Sequence, residues 1–249
     1  MLKEERHKAI VHQVNLHNKV LSVDLGRLLN VSDDTVRRDL KELAREGKLL
    51  KVHGGAISPA FHFSLNGSKP VYALEAKQQI AVKVKSLYKN DISILIEGGT
   101  TIIEMARSIP ENLRATFYTL SPQIAITLSE HERLEVITIG GKLSKNAYIH
   151  TGASVINQLS EIRVDLCIIG ANGLSVADGL TDSDWEIVQV IKAMIRSSQK
   201  VAVVCIAEKL NTVQKLKICD INAVNYLITE SSPDNPELAP YKKTSITLI

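Results

Sequence analysis

Residues 31–56 read VSDDTVRRDLKELAREGKLLKVHGGA, and this stretch decides the fold of the first part of the chain. Apolar side chains in it recur with the period of an α-helix, and a serine, a favoured N-cap residue, stands before them. The apolar residues are Val36, Leu40 and Leu43. Glycine commonly ends helices, so Gly47 predicts a helix that begins after Ser32 and ends near Glu46.

Two further helices are predicted upstream of this one. Over residues 3–17, Ile10 and Val14 mark an apolar face, and Ser22 is a candidate N-cap for a short second helix. The leucines that recur at helical spacing in the second helix are Leu25, Leu28 and Leu29. Residues 30–31 then allow only a tight turn. A short helix, a tight turn and an oriented helix predict a helix-turn-helix, whose second helix enters the major groove of DNA.

The face of the third helix opposite its apolar stripe is polar and basic. It carries Thr35, Arg37, Arg38, Lys41, Glu42 and Arg45. Arginine pairs with phosphate and makes bidentate contacts with guanine, so this face suits a helix that reads DNA. We expect Asp39 and Glu42 to hold neighbouring arginines in place. A helical bundle that docks a protein partner is the alternative interpretation of the same pattern.

Residues 47–56, GKLLKVHGGA, predict a strand that ends in a turn, the wing that accompanies many such helices. Apolar and polar side chains alternate, so a strand there can bury one side and offer the other to phosphate. The side chains on the polar side are Lys51 and His53. The glycine pair that follows permits the turn.

Composition sets the broad class. The chain has 249 residues, of which 45% are hydrophobic and 23% charged, and this is typical of a soluble globular protein. No apolar run approaches the roughly 20 residues of a membrane span, and the first residues lack the apolar stretch of a signal peptide. The cysteines, Cys167, Cys205 and Cys219, lack metal-ligand spacing and are interpreted as buried side chains. We expect a cytoplasmic protein without a metal or other cofactor.

The net charge of +3 becomes informative once it is located. Residues 1–58 hold 11 Lys and Arg against 8 Asp and Glu, whereas residues 59–249 hold 19 of each. The basic excess therefore lies entirely in the first 58 residues. An excess this small does not establish a nucleic-acid partner by itself, but its position agrees with the predicted helix-turn-helix.

The rest of the chain has a different organisation. Residues 59–73 contain two prolines, a glycine and several small polar residues, and predict a linker between a domain over 1–58 and another over 74–249. In the second domain short β-branched runs alternate with helical segments of about ten residues, which predicts an α/β fold with a mostly parallel sheet. Such sheets bind ligands at the carboxyl ends of their strands.

The stretch quoted first closely resembles the signature of DeoR-type bacterial transcription regulators. These pair a winged helix-turn-helix with a C-terminal sensor for phosphorylated sugars or related metabolites. The resemblance implies contact with an operator in double-stranded DNA. The residues that we place at this interface are Ser32, Thr35, Arg37, Arg38, Lys41, Lys51 and His53.

ILIEGGTT, residues 94–101, is the first candidate ligand site of the second domain. Gly98 and Gly99 let the backbone approach a ligand, Thr100 and Thr101 supply hydroxyls, and the N-terminus of the following helix offers N–H groups to an anion. An ordinary tight turn would explain the same residues. The likeness to the DeoR-type sensor continues here more loosely, through Lys77 and through Glu97 at the end of the strand. It favours the binding of an anion.

Other predicted strand ends contribute candidates in the same way. They are Ser121, Gly141, Lys142, Asp182, Glu186 and Lys209. A plain turn is an equal alternative for Lys142, and capping of the helix that begins near Asp184 is one for the acidic residues. The chain also departs from the family pattern at Leu120, and at residues 206–208, Ile-Ala-Glu, where Asp-Ser-Ser is usual. These departures concern the specificity for the ligand.

The resemblance implies a DNA-binding regulator, expected to repress a carbohydrate-utilisation operon and to respond to a phosphorylated sugar or related anionic metabolite. It also implies a homo-oligomer, a dimer or tetramer. The second domain resembles ribose-5-phosphate isomerase and glucosamine-6-phosphate deaminase in architecture, so a sugar-phosphate isomerase is one alternative. A domain that only oligomerises is another. We expect no enzymatic activity and assign no catalytic residue.

Overall fold

A computed structural model describes residues 1–59, 71–145 and 147–249. The chain forms two compact units, Met1–Tyr72 and Ala73–Ile249. Most of the linker predicted over residues 59–73 falls on residues 60–70, outside the described ranges. Among the described residues, none of the helices combines the length and the apolar character that crossing a membrane requires.

The first unit is a winged helix-turn-helix. Its helices and strands are, in chain order, α1 (Lys3–His17), β1 (Lys19–Leu21), α2 (Ser22–Leu29), α3 (Asp33–Arg45), β2 (Leu50–Val52) and β3 (Gly55–Ile57). The strands form an antiparallel sheet in the order β1-β3-β2. The turn between β2 and β3 is therefore the tip of the wing.

The α3 helix has the predicted start and end. The Ser32 hydroxyl oxygen accepts a hydrogen bond from the Thr35 N–H at 3.3 Å, which confirms it as the N-cap. After Glu46 the chain passes through Gly47, whose φ of +70° is a left-handed conformation that glycine adopts at little cost. The predicted stripe is fully buried, with Val36, Leu40 and Leu43 at 0% exposure. It packs with Ile10, Val14, Leu25, Leu29 and Leu49.

Three features of this unit differ from the prediction. The strand β1 was not predicted, and it pairs with β3 from Lys19 to Leu21. Because the chain is extended up to Leu21, this residue takes the N-cap position of α2, and Ser22 is the first helical residue rather than the cap. Leu28 is 60% exposed, so it does not belong to the apolar face of α2.

The second unit alternates helices and strands, as predicted. Its principal elements are α4 (Leu74–Val84), β4 (Ile92–Ile96), α5 (Thr100–Arg107), β5 (Ala115–Thr119), α6 (Pro122–Ser129), β6 (Leu134–Thr138), α7 (Ala153–Ser160), β9 (Val164–Gly170), α8 (Trp185–Arg196), β12 (Ser198–Val204), β14 (Tyr226–Ile228) and β15 (Thr247–Leu248). The shorter strands are β7 (Lys142–Leu143), β8 (His150–Thr151), β10 (Gly173–Ser175), β11 (Gly179–Asp182) and β13 (Leu216–Cys219).

A seven-stranded sheet in the order β15-β14-β12-β9-β4-β5-β6 forms the centre of this unit. Every pairing in it is parallel. Consecutive residues of β4, from Ile94 to Ile96, are buried, because helices cover both faces of a parallel sheet. The chain adds β5 and β6 on one side of β4 and later strands on the other. The carboxyl ends of β4 and β9 therefore flank the point at which the strand order reverses, where such folds bind ligands.

The short strands form two small antiparallel sheets that were not predicted. One is the pair β7-β8, and the other has the order β10-β11-β13. Both lie in segments that follow strands of the large sheet, and β11 ends at Asp182, immediately before the turn into α8. They therefore help to position residues beyond the carboxyl edge of the sheet.

The close approach of β1 to β3 leads to a test of the fold. A Cβ atom at Gly55 would overlap the carbonyl oxygen of Val20, whereas one at Gly54 would meet no atom within 4 Å. We expect Gly55→Ala to destabilise the first unit by about 3 kcal/mol, the upper end for overpacking. Gly54→Ala should cost only about 1 kcal/mol, because its φ is left-handed.

Both losses in the free energy of unfolding can be measured in the full chain by urea titration, with hydrogen exchange in peptides that cover residues 19–57 as the readout. Equal costs for the two variants would contradict the pairing of β1 with β3.

Candidate functional site

The polar face of α3 is open to solvent. Arg37, Arg38 and Lys41 are exposed, as is Ser32, while Thr35 is half-buried because it contacts the cap. Arg37 forms a long ion pair with Asp34, with 3.8 Å between a guanidinium nitrogen and a carboxylate oxygen. These side chains are anchored on a rigid helix and can extend toward another molecule.

The wing adds two further exposed groups. Lys51 in β2 and His53 in the turn after it are exposed, while Leu50 and Val52 are half-buried. Gly54 has a φ of +76°, which the tight turn requires. The sequence thus predicted correctly which side of this strand faces solvent.

Buried Asp39 joins α3 to α1. Its carboxylate is bound by Arg6, with Nε at 2.5 Å and the second guanidinium nitrogen at 3.1 Å, and by His7 Nε2 at 3.0 Å. Burial tends to raise the Asp39 pKa, but these hydrogen bonds outweigh burial, and the pKa is lowered. Glu42 binds Lys3 at 2.6 Å. The prediction that both carboxylates hold neighbouring arginines is therefore corrected, because their partners come from α1.

In the second unit, Glu97 connects the two strands at the switch point. It follows β4, and its Oε2 accepts the Gly170 N–H, at the end of β9, at 3.1 Å. Burial raises the pKa of Glu97 to about 8, and the Asp182 carboxylate adds to this rise. The Gly170 N–H and the Lys209 ammonium group oppose it. Near neutral pH this side chain is therefore mainly protonated and can donate a hydrogen bond.

Lys209 brings a cationic group to the same place. Its Nζ donates to the carbonyl oxygen of Ala171, just beyond β9, at 3.0 Å. Burial lowers the pKa of Lys209, and Cys205, Asp182 and Glu97 act in the opposite direction. Lys209 is half-buried, and an ammonium group that is partly removed from water needs partners of negative charge, so this environment favours an anion.

Asp182 faces the same cluster. Its Oδ1 accepts the N–H groups of Ser183 at 2.6 Å and Asp184 at 2.8 Å. Burial raises the pKa of Asp182, whereas these hydrogen bonds and one with Asn172 lower it. The cap of α8 is Asp184, which accepts the Glu186 N–H at 3.1 Å. The capping alternative therefore applies to neither Asp182 nor Glu186.

Lys77 of α4 belongs to this charged group as well. It is 7% exposed, and burial lowers its pKa to about 8. The charge of Lys209 acts in the same direction, and that of Glu104 opposes it. Lys77, Glu97, Asp182 and Lys209 therefore form one electrostatically coupled set, which we call the switch-point cluster.

The loop after β4 has the predicted glycine geometry. A Cβ atom at Gly98 would overlap the Ile149 side chain, so only glycine fits there. Gly99 has a φ of +101° and directly precedes α5, whose start has no side-chain cap in the described structure. Thr100, buried, and Thr101, half-buried, open the helix. Because no described side chain caps them, the first N–H groups of α5 can bind an anion.

The end of β5 lies beside this loop. Thr119 Oγ1 donates to the Glu97 carbonyl oxygen at 3.4 Å and accepts the Ser121 N–H at 3.2 Å. Ser121 is 4% exposed, and Leu120 is completely buried in the core. Leu120 therefore departs from the family pattern without lining the surface of a site.

Lys142 and Glu186 form a second group, linked through β7, β8 and α8. Lys142 Nζ lies 3.3 Å from Glu186 Oε1, and buried Thr151 donates to Glu186 Oε2 at 3.1 Å. Gly141 packs so closely against Val155 and Thr151 that a Cβ atom would overlap them. Gly141 thus has a structural reason to be glycine, whereas the exposed side chain of Lys142 can reach a ligand.

Sequence reasoning missed two acidic residues near the cluster. Glu230 follows β14, and both its carboxylate oxygens accept the Ala207 N–H, at 3.0 and 2.9 Å. The strand-end rule that selected Glu97 could have found it. Glu104 is 7% exposed, binds Arg107 at 2.8 Å and is near enough to influence Lys77. Its burial on the inner face of α5 gives no such sequence signal.

The first unit is a winged helix-turn-helix with an exposed basic face, and the second is a parallel α/β unit with a charged cluster at its switch point. This combination is typical of DNA-binding transcriptional regulators that carry a sensor domain. The chain belongs to the DeoR family. The DeoR-like helix-turn-helix domain matches residues 6–60, and the DeoR C terminal sensor domain matches residues 73–231.

Named relatives align along nearly the whole chain. The HTH-type transcriptional regulator GolR of Listeria innocua is 28% identical over 98% of this chain and 95% of its own. The HTH-type transcriptional repressor GlcR of Bacillus subtilis is 30% identical over 94% and 91%. The L-fucose operon activator of Escherichia coli is 26% identical over 92% and 96%.

Among solved structures, a ribose 5-phosphate isomerase from Methanocaldococcus jannaschii covers 54% of this chain and 53% of its own. Its TM-score is 0.40 and its sequence identity 18%. This likeness is too distant to bear on activity.

The raised pKa of Glu97 predicts how the stability of the second unit depends on pH. The unfolded chain loses this proton near the ordinary value of 4.5, but the folded protein keeps it up to about pH 8. The contribution of Glu97 is therefore complete below pH 4.5 and is lost as the pH rises toward 8. Glu97→Gln should remove this loss.

Urea unfolding between pH 4.5 and 7 tests this point while staying about one unit below the Lys77 pKa of about 8. The free energy of unfolding should fall more steeply with pH in the wild type than in Glu97→Gln. Parallel pH profiles would show that Glu97 titrates normally in the folded protein.

Proposed function

We propose that this regulator represses a carbohydrate-utilisation operon and that a phosphorylated sugar bound at the switch-point cluster controls its affinity for DNA. The observation that carries the proposal is the position of the Lys209 ammonium group, the Glu97 carboxyl group and the glycine-rich start of α5 at the carboxyl ends of neighbouring strands. Relatives that are named repressors support repression over activation, although one named relative is an activator.

The proposed DNA interface is the exposed face of α3 together with the wing. Arg38 and Lys41 extend from a helix that its buried stripe and its connection to α1 hold in a fixed orientation. Guanidinium groups on such a helix can read guanine, while Lys51 and His53 of the wing can contact phosphate. Ser32 and Thr35 lie at the start of α3, and recognition helices contact the bases through their first residues, so we propose that both contact DNA.

The proposed ligand interface uses complementary groups. In this proposal the phosphate binds the backbone of the loop at Gly98 and Gly99 and the hydroxyl groups of Thr100 and Thr101. The ammonium groups of Lys77 and Lys209 balance its negative charge. Protonated Glu97 can donate to a sugar oxygen, and Asp182 can accept from a sugar hydroxyl. We further propose that Lys142 and Glu186 of the second group, together with Ser121 after β5, contribute polar contacts to the ligand.

A sugar-phosphate isomerase would need a general base that abstracts a carbon-bound proton. Glu97 is a poor candidate, because its Oε2 already accepts the Gly170 N–H and so links the ends of β4 and β9. We therefore propose that the second unit binds its ligand without turning it over. Turnover of a sugar phosphate that disappears in Glu97→Gln would favour the enzyme instead.

Control of DNA binding then requires an oligomer. We propose that two or more subunits place α3 in half-sites about 34 Å, one DNA turn, or a multiple of it apart. A ligand can change the affinity for DNA only as far as it binds the two arrangements of the oligomer with different affinity.

A mutational test addresses the DNA interface. Arg38→Ala should weaken operator binding by about 1–3 kcal/mol in a site-dependent manner if Arg38 reads a guanine. Arg37→Ala should weaken binding to all sequences alike if Arg37 contacts phosphate. Fluorescence anisotropy with operator DNA and with one-base variants measures both effects.

Arg163→Ala, which changes an exposed arginine of the second unit, is the matched control. Unchanged operator affinity in both the Arg37 and the Arg38 variant would refute the assignment of α3.

A ligand screen addresses the sensor site. Thermal unfolding is measured with phosphorylated sugars and with their unphosphorylated parents. A ligand at 100 times its Kd should stabilise the protein by about 2.7 kcal/mol. We expect stabilisation by a phosphate ester and not by its parent, and we expect Lys209→Met to lose it.

Lys200→Met is the control, because Lys200 is an exposed lysine of β12, the strand that precedes Lys209. If no phosphate ester stabilises the wild type, or if both lysine variants respond alike, the proposed ligand site is wrong.

A further inference from the structure

Trp185 is the single tryptophan of the chain, and 66% of it is exposed. Tryptophan is a large apolar side chain that folded proteins bury extensively as a rule. The apolar residues that follow it in α8 are buried, namely Ile187, Val188, Val190 and Ile191. The exposure of Trp185 is therefore a local exception in an otherwise well-packed helix.

The backbone at Trp185 is held in place on both sides. Before it, Asp182 accepts two backbone N–H groups, and Asp184 caps the helix. After it, the Glu186 carboxylate is bound by Lys142 and Thr151. The exposed ring is thus carried by a rigid turn and does not belong to a fraying end.

The residues next to Trp185 in the chain are acidic. Asp184 and Glu186 are its neighbours in sequence, and Asp182, three residues earlier, belongs to the switch-point cluster. The cores of protein interfaces are enriched in aromatic residues but depleted of charged ones, so the acidic residues on either side of Trp185 count against a subunit contact. An aromatic ring beside a few polar groups is instead the usual composition of a small-molecule site.

Resting on the proposed function, we infer that Trp185 stacks on the ring of a cyclic sugar phosphate and makes the sensor select cyclic over open-chain ligands. The face of an indole carries partial negative charge. The C–H groups on one face of a sugar ring carry partial positive charge, because each carbon bears an oxygen. An open-chain polyol phosphate has the same phosphate and similar hydroxyls but offers no such flat face.

The test uses matched ligand pairs, each an aldose phosphate and the alditol phosphate made from it by reduction. Because Trp185 is the single tryptophan, its fluorescence in the full-length protein reports on the ring directly. We expect the cyclic ligand that stabilises the wild type to change this fluorescence. We also expect it to bind at least about tenfold more tightly than its open-chain partner, which corresponds to about 1.4 kcal/mol.

Substitutions separate stacking from other roles. Trp185→Ala should lose the preference for the cyclic ligand, and Trp185→Phe should retain most of it, with affinities read from thermal shifts. Ile126→Ala removes an equally exposed apolar side chain, at 66%, from α6 and should change nothing. The unfolding temperature without ligand shows whether each variant is folded.

The possible failures can be told apart. If a phosphate ester stabilises the wild type without changing its tryptophan fluorescence, and Trp185→Ala keeps the preference for the cyclic ligand, the inference is wrong and the proposed function stands. Fluorescence that depends on protein concentration and not on ligand would make Trp185 a subunit contact and would overturn the inference. If no phosphate ester binds, both are wrong.

Discussion

Desolvation of charge at the carboxyl edge of the seven-stranded sheet is the constraint on which the sensor unit depends. Glu97 joins the end of β4 to that of β9, Lys209 reaches back from beyond β12 to Ala171, and Glu230 reaches from β14 to Ala207. Adjacent strand ends are thus connected by ionisable side chains where apolar packing would be less costly. Such an arrangement is readily explained if an anion completes it, because the ligand supplies charge that the protein lacks.

In the DNA-binding unit the buried charges are paired with one another, and the basic groups on the polar face of α3 are exposed. Asp39 is buried against Arg6 and His7, so that α1 holds α3 from behind, while Arg38 and Lys41 on the other face remain exposed. The buried connection fixes the direction of the helix, and the exposed charges are available to a polyanion. In the first unit the buried charge therefore orients a helix, whereas in the second unit we propose that it serves a ligand.

Much of this could be predicted from the sequence, because strong local signals carry it. The cap at Ser32, the stripe of α3 and the parallel sheet follow from spacing and residue type. What could not be predicted depends on distant partners. The strand β1 forms because β3 lies beside it, Ser22 loses the cap position for that reason, and Asp39 selects Arg6 across 33 residues of sequence. The coupling among Lys77, Glu97, Asp182 and Lys209 likewise requires the fold.

The central claim is that an anion at the switch-point cluster controls operator binding. The most direct measurement is the operator affinity of the full chain, with and without a phosphate ester that stabilises it, in the wild type and in Lys209→Met. We expect a change of at least about fivefold in the wild type, within the usual range of allosteric coupling. We expect Lys209→Met to bind the operator normally but no longer to respond to the ester. An equal response in both proteins, or a stabilising ester that leaves the operator affinity of the wild type unchanged, would contradict it.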